Sequence, residues 1–494
     1  MPFCRLQGFL LIATLLVLYG ARVMFLPEGA LPDYDTVQNW QVAQQIASAD
    51  FSNLFFHRSP LFNLFYGLVY LFLPSLKAQI MLNAGLNVLA VYLLCRVVAQ
   101  KPGLTALQFC VLLLVAGLSV FMVHTSRYLT VESAGLPVFA LFLTNYVRRC
   151  DSNQIKHFYW AIFWLAAGIS INYKFVLLVP VVLALELFQA SQLLNKVTVL
   201  KSLAILASPF VVLGLLGFVL GLRWYHYPAT YMGVVQFNVP NAAMRTGKFN
   251  SDISFYFRYL FAYESPLAWS SLALYFIVFR PWNYLRRQNL QLPDVLAIIC
   301  VCFLAGMSLL LKAPRGLVFI YVPLYLLGFI CLQRLLQKNV TLFYSLLFFS
   351  ILFCGYKCYD AIYKYSETGY EQMAAFIKKE EIPEVGQTVG NGLIPFSAQN
   401  FTVAPIARPN EWQEFIAKKP AWVVADTYYL TTNIQLFDSL QQLPARYSVH
   451  SPALLSPLLF LEHAEFTGFG YSKTMELRQQ AIESKFQLRL LQIE

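Results

Sequence analysis

Few side chains in the first 358 residues of this chain could do acid–base work, and they fall in small groups. That stretch holds ten carboxylates against 25 Lys and Arg. Four of the ten, Glu28, Asp33, Asp35 and Asp50, lie within 27–78, two of them in Pro32-Asp33-Tyr34-Asp35. A carboxylate held beside a bound hydroxyl can take its proton. Glu132 closes His124-Thr-Ser-Arg-Tyr-Leu-Thr-Val-Glu132 at the end of an apolar run. An ionised group there is expected to face a cavity or a partner. The bland alternative pairs it with Arg127 at the interface. Arg58, Arg127, Lys174, Arg258, Lys312 and Arg315 gather on the same side in the topology derived below. Fixed positive charge beside a few carboxylates suits an anionic head group and a hydroxyl acceptor to be deprotonated. For any one of these cations alone, snorkelling to the interface is the stronger reading.

The elements that must position these groups are set by composition. The chain is 58% hydrophobic and 12% charged, where ordinary soluble domains are about 25% charged. So much apolar surface needs the bilayer as solvent. Residues 1–358 carry a charge of +15 and residues 359–494 carry −4. The overall +11 is therefore a loop effect of the positive-inside rule and not a nucleic-acid signal. None of the nine cysteines lies beyond 358, and no disulfide framework or paired CxxC zinc pattern exists.

Apolar runs near 8–26, 79–98, 104–123, 128–147, 157–171, 174–190, 199–222, 264–280, 294–311, 315–332 and 341–357 predict about eleven transmembrane helices. The first is read as a retained span. The run 61–73, bracketed by Pro60 and Pro74, is short and predicts an interfacial helix. With a cytoplasmic N-terminus, Arg96, Lys101, Arg148, Arg149, Lys156, Lys196, Lys201, Arg280, Arg286, Arg287, Arg334 and Lys338 all fall inside. A crossing at 61–73 would invert that pattern. Three regions are then external: a first loop 27–78, a second large loop 223–263, and residues 359–494. The last reads as an α/β domain, with helices at Glu367–Lys379 and Trp412–Ala417 and strands at Trp422–Ala425 and Phe486–Ile493. No catalytic signature stands out in it. Trp224-Tyr225-His226-Tyr227 suits an interfacial belt better than sugar stacking.

The stretch Asp33-Tyr34-Asp35…Trp40-Gln-Val-Ala43…Ala47-Ser-Ala-Asp50-Phe51 resembles the first external loop of the C-type (GT-C) glycosyltransferases. There an acidic residue after the first span precedes an amphipathic helix, here 35–49. A His/Lys-x-Pro-Pro-Leu-like element follows, here His57-Arg58-Ser59-Pro60-Leu61, then a short helix, here 61–73. The position of a second family acid matches Glu132. A Gly-to-Lys turn between two short spans matches Gly168 to Lys174, and Lys312-Ala-Pro-Arg315…Pro323 resembles a later span start. The subfamily most similar unites protein O-mannosyltransferases with aminoarabinose transferases acting on lipid A, and the resemblance covers about residues 1–360. Asp-Tyr-Asp replaces the usual Asp-Glu, so Asp33 and Asp35 both stay open as base. Spacing to Trp40 and Ala43 favours Asp35.

The resemblance implies a transmembrane GT-C-type catalytic module at 1–358 and an extracytoplasmic domain at 359–494, in a cell inner (plasma) membrane. It implies a polyprenyl-phosphate sugar donor, a hydroxyl acceptor on a lipid, glycan or protein, and inversion at the anomeric carbon. Asp35 or Asp33 would be the base, with Glu132 orienting. Lys174, Arg58, Arg315, Arg127 and His57 would be candidates for the donor phosphate. A divalent metal stays open, since no His/Asp cluster argues for a site. The rival readings are a transporter or flippase for a lipid-linked sugar, a polysaccharide polymerase or ligase, and a receptor or scaffold. The first predicts ionisable groups near span midplanes and two related halves, neither of which the sequence offers.

Overall fold

The computed structural model describes residues 5–100, 104–189, 195–236, 251–281, 289–397, 400–432 and 434–493. Lys101, Arg286, Arg287 and the part 237–250 of the second large loop lie outside these.

Each of the eleven apolar runs carries helix. Arg5–Val23, Leu76–Ala99, Val131–Ser152, Ile155–Ile169, Lys196–Val219, Leu292–Met307, Tyr321–Leu335 and Val340–Ala361 follow the expected runs closely. Among the described residues, four helices are long and apolar enough to cross a membrane by length and composition. Three other runs are broken. The run 104–123 divides into Ala106–Gly117 and Val120–Thr125, and a buried carboxylate holds the break. Glu264 Oε1 accepts from Ser119 Oγ at 3.1 Å and from the Phe121 amide at 3.0 Å. It thus satisfies amides that a new helix start leaves orphaned. The run 264–280 divides into Pro266–Trp269 and Ser271–Phe279. The run 174–190 opens as a 3-10 turn, Tyr173–Leu177, before Leu178–Phe188.

The first loop folds onto this helical layer. Asp33 Oδ2 accepts from the Thr36 amide at 2.9 Å and caps the helix Tyr34–Ala47. Its buried residues include Thr36, Val37, Val42, Ala43 and Ile46, at the spacing of one helix face. The helix Pro60–Tyr70 has 11 residues, about 16 Å at 1.5 Å per residue, against a hydrocarbon core of about 30 Å. It packs along Tyr34–Ala47. A Cβ on Gly67 would come within 2.4 Å of Ile46, so glycine is what permits the approach.

Beyond Ala361 the chain builds a five-stranded mixed sheet with its own apolar core. Its strands are β1 (Glu384–Thr388), β2 (Thr402–Ile406), β3 (Ala421–Ala425), β4 (Tyr447–Val449) and β5 (Leu488–Ile493), in the order β2-β1-β3-β5-β4. β1 pairs parallel with β2 and β3, while β5 pairs antiparallel with β3 and β4. Helices Tyr370–Lys379 and Pro409–Ile416 stand close to where the periodicity predicts them. The sheet unit rests on the first loop: the Tyr34 amide donates to Tyr428 Oη at 3.2 Å and Asn391 Nδ2 donates to the Tyr34 carbonyl at 2.8 Å.

Candidate active site

One helix start presents two carboxyls in different ways. Asp33, at the cap, turns back on its own helix: Oδ2 accepts from Thr36 Oγ1 at 2.6 Å as well as from the Thr36 amide. Asp35, in the first turn, points into a cavity of about 270 Å³. Its Oδ1 lies 3.3 Å from His57 Nε2 and its Oδ2 lies 3.5 Å from Arg315 Nη1. Burial alone would raise the Asp35 carboxyl. The adjoining His57 and Arg315 overcome that and hold it below the ordinary carboxylate range. Burial and the Asp35 charge push Asp33 up to about 6. His57 and Arg58 are consecutive non-glycine residues with φ of 51° and 63°. L-residues in this left-handed region carry about 1–2 kcal/mol of strain each, and here both line the cavity.

The opposite wall is made by Glu132 and Lys174. Lys174 Nζ lies 2.6 Å from Glu132 Oε1 and 3.3 Å from the Arg315 carbonyl. Lys174 is aimed by a tight turn: Asn172 Oδ1 accepts the Lys174 amide at 3.0 Å, and Phe175 folds back over Gly168. A Cβ on Gly168 would stand 2.2 Å from the Phe175 ring, so no other residue fits unless the turn moves. Arg58 reaches the same space, with Nε donating to the Thr230 carbonyl at 2.9 Å and the guanidinium over the Tyr173 ring.

The third wall comes from the C-terminal unit, where the sequence offered no catalytic signature. Arg315 Nη2 lies 2.6 Å from Glu465 Oε1, its Nε lies 3.6 Å from Glu462 Oε2, and its amide donates to Glu462 Oε2 at 3.2 Å. Phe466 also lines the cavity. Behind lies a pocket of about 30 Å³, faced by Asp33, His124, Glu132, Glu462 and His463, with room for a water or two. Burial drives the Glu462 carboxyl up to about 8 against the pull of Arg315 and Lys174. Burial and Arg315 bring His463 down to about 4, so it is a neutral ring, 2.6 Å from Tyr428 Oη. The one local signal was Glu462-His463-Ala464-Glu465, two acids and a histidine in four residues.

Arg127 requires a correction. The expectation placed it among the phosphate-binding cations or paired with Glu132. Its guanidinium instead donates to the carbonyls of Arg22, Met24 and Phe25 and to Ser366 Oγ, tying the first helix to the entry of the C-terminal unit away from the cavity. Lys312 is likewise spent on the Ser308 and Leu310 carbonyls, both at 2.6 Å, and Arg258 on Ser472. Trp224 and Tyr225 are exposed, whereas Tyr227 is buried and stacks on Phe55. Asp35, His57, Arg58, Glu132, Lys174 and Arg315 are thus brought to one cavity, while Asp33 faces the pocket behind it. Among the described residues, no group of three or more His, Cys, Asp or Glu could hold a metal ion.

This arrangement sets three carboxyl groups, Asp35, Glu132 and Glu465, among three cations, Arg58, Lys174 and Arg315, in one cavity. It can take a proton from a hydroxyl while holding an anionic group nearby. The fold is one already seen in a solved structure. It is shared with ArnT from Cupriavidus metallidurans, solved bound to undecaprenyl phosphate, with a TM-score of 0.55 over 90% of this chain and 96% of that one, at 12% identity. The same protein in its apo state aligns over 97% of this chain and 77% of that one, at 13% identity and a TM-score of 0.46. No protein-family model matches the chain, and no curated protein matches it in sequence. The likeness establishes the fold.

Proposed function

We propose that this chain is a membrane glycosyltransferase that moves a sugar from a polyprenyl-phosphate-linked donor to a hydroxyl acceptor on the extracytoplasmic face. The observation that carries the reading is Asp35, ionised, beside Arg315 and lining one cavity with Arg58 and Lys174. Its support from the fold is that ArnT, which shares it, was solved with undecaprenyl phosphate bound. Asp35 accepts the acceptor's hydroxyl proton. The oxygen attacks the anomeric carbon from the face opposite the phosphate, so configuration inverts. The C1–O bond to phosphate breaks, and the lipid phosphate leaves with the electron pair. Negative charge grows on that phosphate, and Arg58, Lys174 and Arg315 stabilise it. Glu132 holds Lys174 in place, and His57 fixes Asp35. The eleven apolar runs are taken as spans with the N-terminus cytoplasmic, residues 1–358 as the catalytic module and 359–494 as an extracytoplasmic unit roofing it.

The test is transfer by purified protein in vesicles, with radiolabelled polyprenyl-phosphate sugars and a cell-envelope extract as acceptor pool. Transfer by wild type that is lost in Asp35→Asn supports the reading. Movement of the labelled lipid across the bilayer with no sugar transferred would replace it with the transporter reading.

A further inference from the structure

Arg315 is in contact with more carboxyl groups than one guanidinium can pair. Asp35, Glu462 and Glu465 all lie within 3.6 Å of it. The two glutamates are held differently. Glu462 is buried, accepts the Arg315 amide, and anchors the backbone. Glu465 sits on the short helix Ala464–Thr467, its side chain 25% exposed, and lines the cavity shared with Arg58 and Lys174. That helix ends on Gly468 at φ 70°, a left-handed position that glycine takes without strain.

The charges around the cavity leave little for an incoming anion. Lys174 is matched by Glu132 at 2.6 Å. Among the described residues no carboxylate pairs with Arg58, which makes it the one unbalanced cation on the wall. Guanidinium binds carboxylate and phosphate oxygens through the same planar set of donors. Glu465 occupies Nη2 of Arg315, and both side chains line the cavity.

We propose that the Glu465 carboxylate holds the place of the donor phosphate on Arg315, and that a polyprenyl phosphate binds by displacing it. This rests on the glycosyltransferase reading above and names the phosphate subsite within it. Displacement frees the turn Ala464–Thr467, so the C-terminal unit senses whether donor is present. After transfer, Glu465 competes again for Arg315 and helps the product phosphate leave. Glu465 therefore sets both the affinity for donor and the rate of product release.

The experiment measures binding of undecaprenyl phosphate to the full chain in phosphatidylcholine nanodiscs. Wild type, Glu465→Gln, Glu465→Asp, Arg315→Gln and the Glu465→Gln/Arg315→Gln double variant are compared. Removing the competing charge should tighten binding about tenfold, the effect of one such contact. Glu465→Asp, shorter but charged, should fall between wild type and Glu465→Gln. Arg315→Gln should weaken binding at least tenfold, and the Glu465 change should have no effect in that background, because its route is through Arg315. In turnover, Glu465→Gln should lower KM and show a burst followed by slower release. Unchanged or weaker binding by both Glu465 variants, with Arg315→Gln still impaired, overturns the inference and leaves the glycosyltransferase reading standing. Absence of binding by wild type and every variant removes that reading, and this inference with it.

Discussion

Lys174 Nζ and Glu132 Oε1 meet at 2.6 Å in a buried contact that has a mirror at the far end of the same helix pair. There Arg149 Nη2 meets Glu186 Oε2 at 3.0 Å, also fully buried. Helix Val131–Ser152 thus carries its acid at the start and its base at the end, and the segment Tyr173–Phe188 carries the opposite signs in parallel. The two pairs fix the register of these segments, and with it the height at which Lys174 enters the cavity.

Breaking one buried pair should therefore cost more than removing it. Glu132→Gln or Lys174→Met alone strands a charge and should destabilise by about 3–5 kcal/mol. The double variant should recover much of that stability while transfer stays impaired. Thermal unfolding in nanodiscs alongside transfer assays separates the two effects. A double variant no more stable than the singles would deny the pair its register role.

The two aspartates should separate by kind of damage. Asp35→Asn should lower transfer by about 10²–10⁴-fold, the usual worth of a positioned base, with little change in unfolding midpoint. Asp33→Ala should cost about 1 kcal/mol through the lost helix cap, while Asp33→Asn, which caps as well, should not. Equal transfer losses in Asp33→Asn and Asp35→Asn would contradict this division.

Gly168→Ala should act at a distance. The added methyl collides with the Phe175 ring at 2.2 Å, and overpacking of this kind typically costs about 1–3 kcal/mol. The turn that aims Lys174 must shift, so donor KM should rise. Phe175→Leu added to Gly168→Ala should relieve part of both losses, read by unfolding and by kinetics.

Glu462 should leave a mark on stability against pH. Its carboxyl sits at about 8 in the folded chain and at 4.5 by its ordinary value. Between these the folded state keeps a proton that the unfolded state has lost, so this group's contribution makes stability fall as pH rises from about 4.5 to 8. The slope approaches about 1.4 kcal/mol per pH unit. Glu462→Gln keeps an oxygen for the Arg315 amide and removes the titration, so the variant should gain on wild type as pH rises. Parallel pH–stability curves for the two would refute the assignment.

Much of the helical scaffold is legible in the sequence, because hydropathy and period are local properties. A run of 20 apolar residues must be helical in lipid whatever surrounds it. The Asp33 cap, the amphipathic stretch after it and the Gly168-to-Lys174 turn depend on residues a few positions apart. The break at Ser119 escapes such reading, since the carboxylate that satisfies it, Glu264, is 145 residues away. Arg127 has the composition and position of a site cation, yet carbonyls of the first helix's end claim it. Glu462 and Glu465 carry only the weak local signal of two acids flanking a histidine, and they reach Arg315 only because the sheet unit folds back over the first loop. Side-chain partnership is settled by long-range packing, and a guanidinium goes to whichever oxygens the fold brings within reach. The sequence by itself thus determined the helices and the clusters of candidate residues, and tertiary structure alone decided which charges share one cavity.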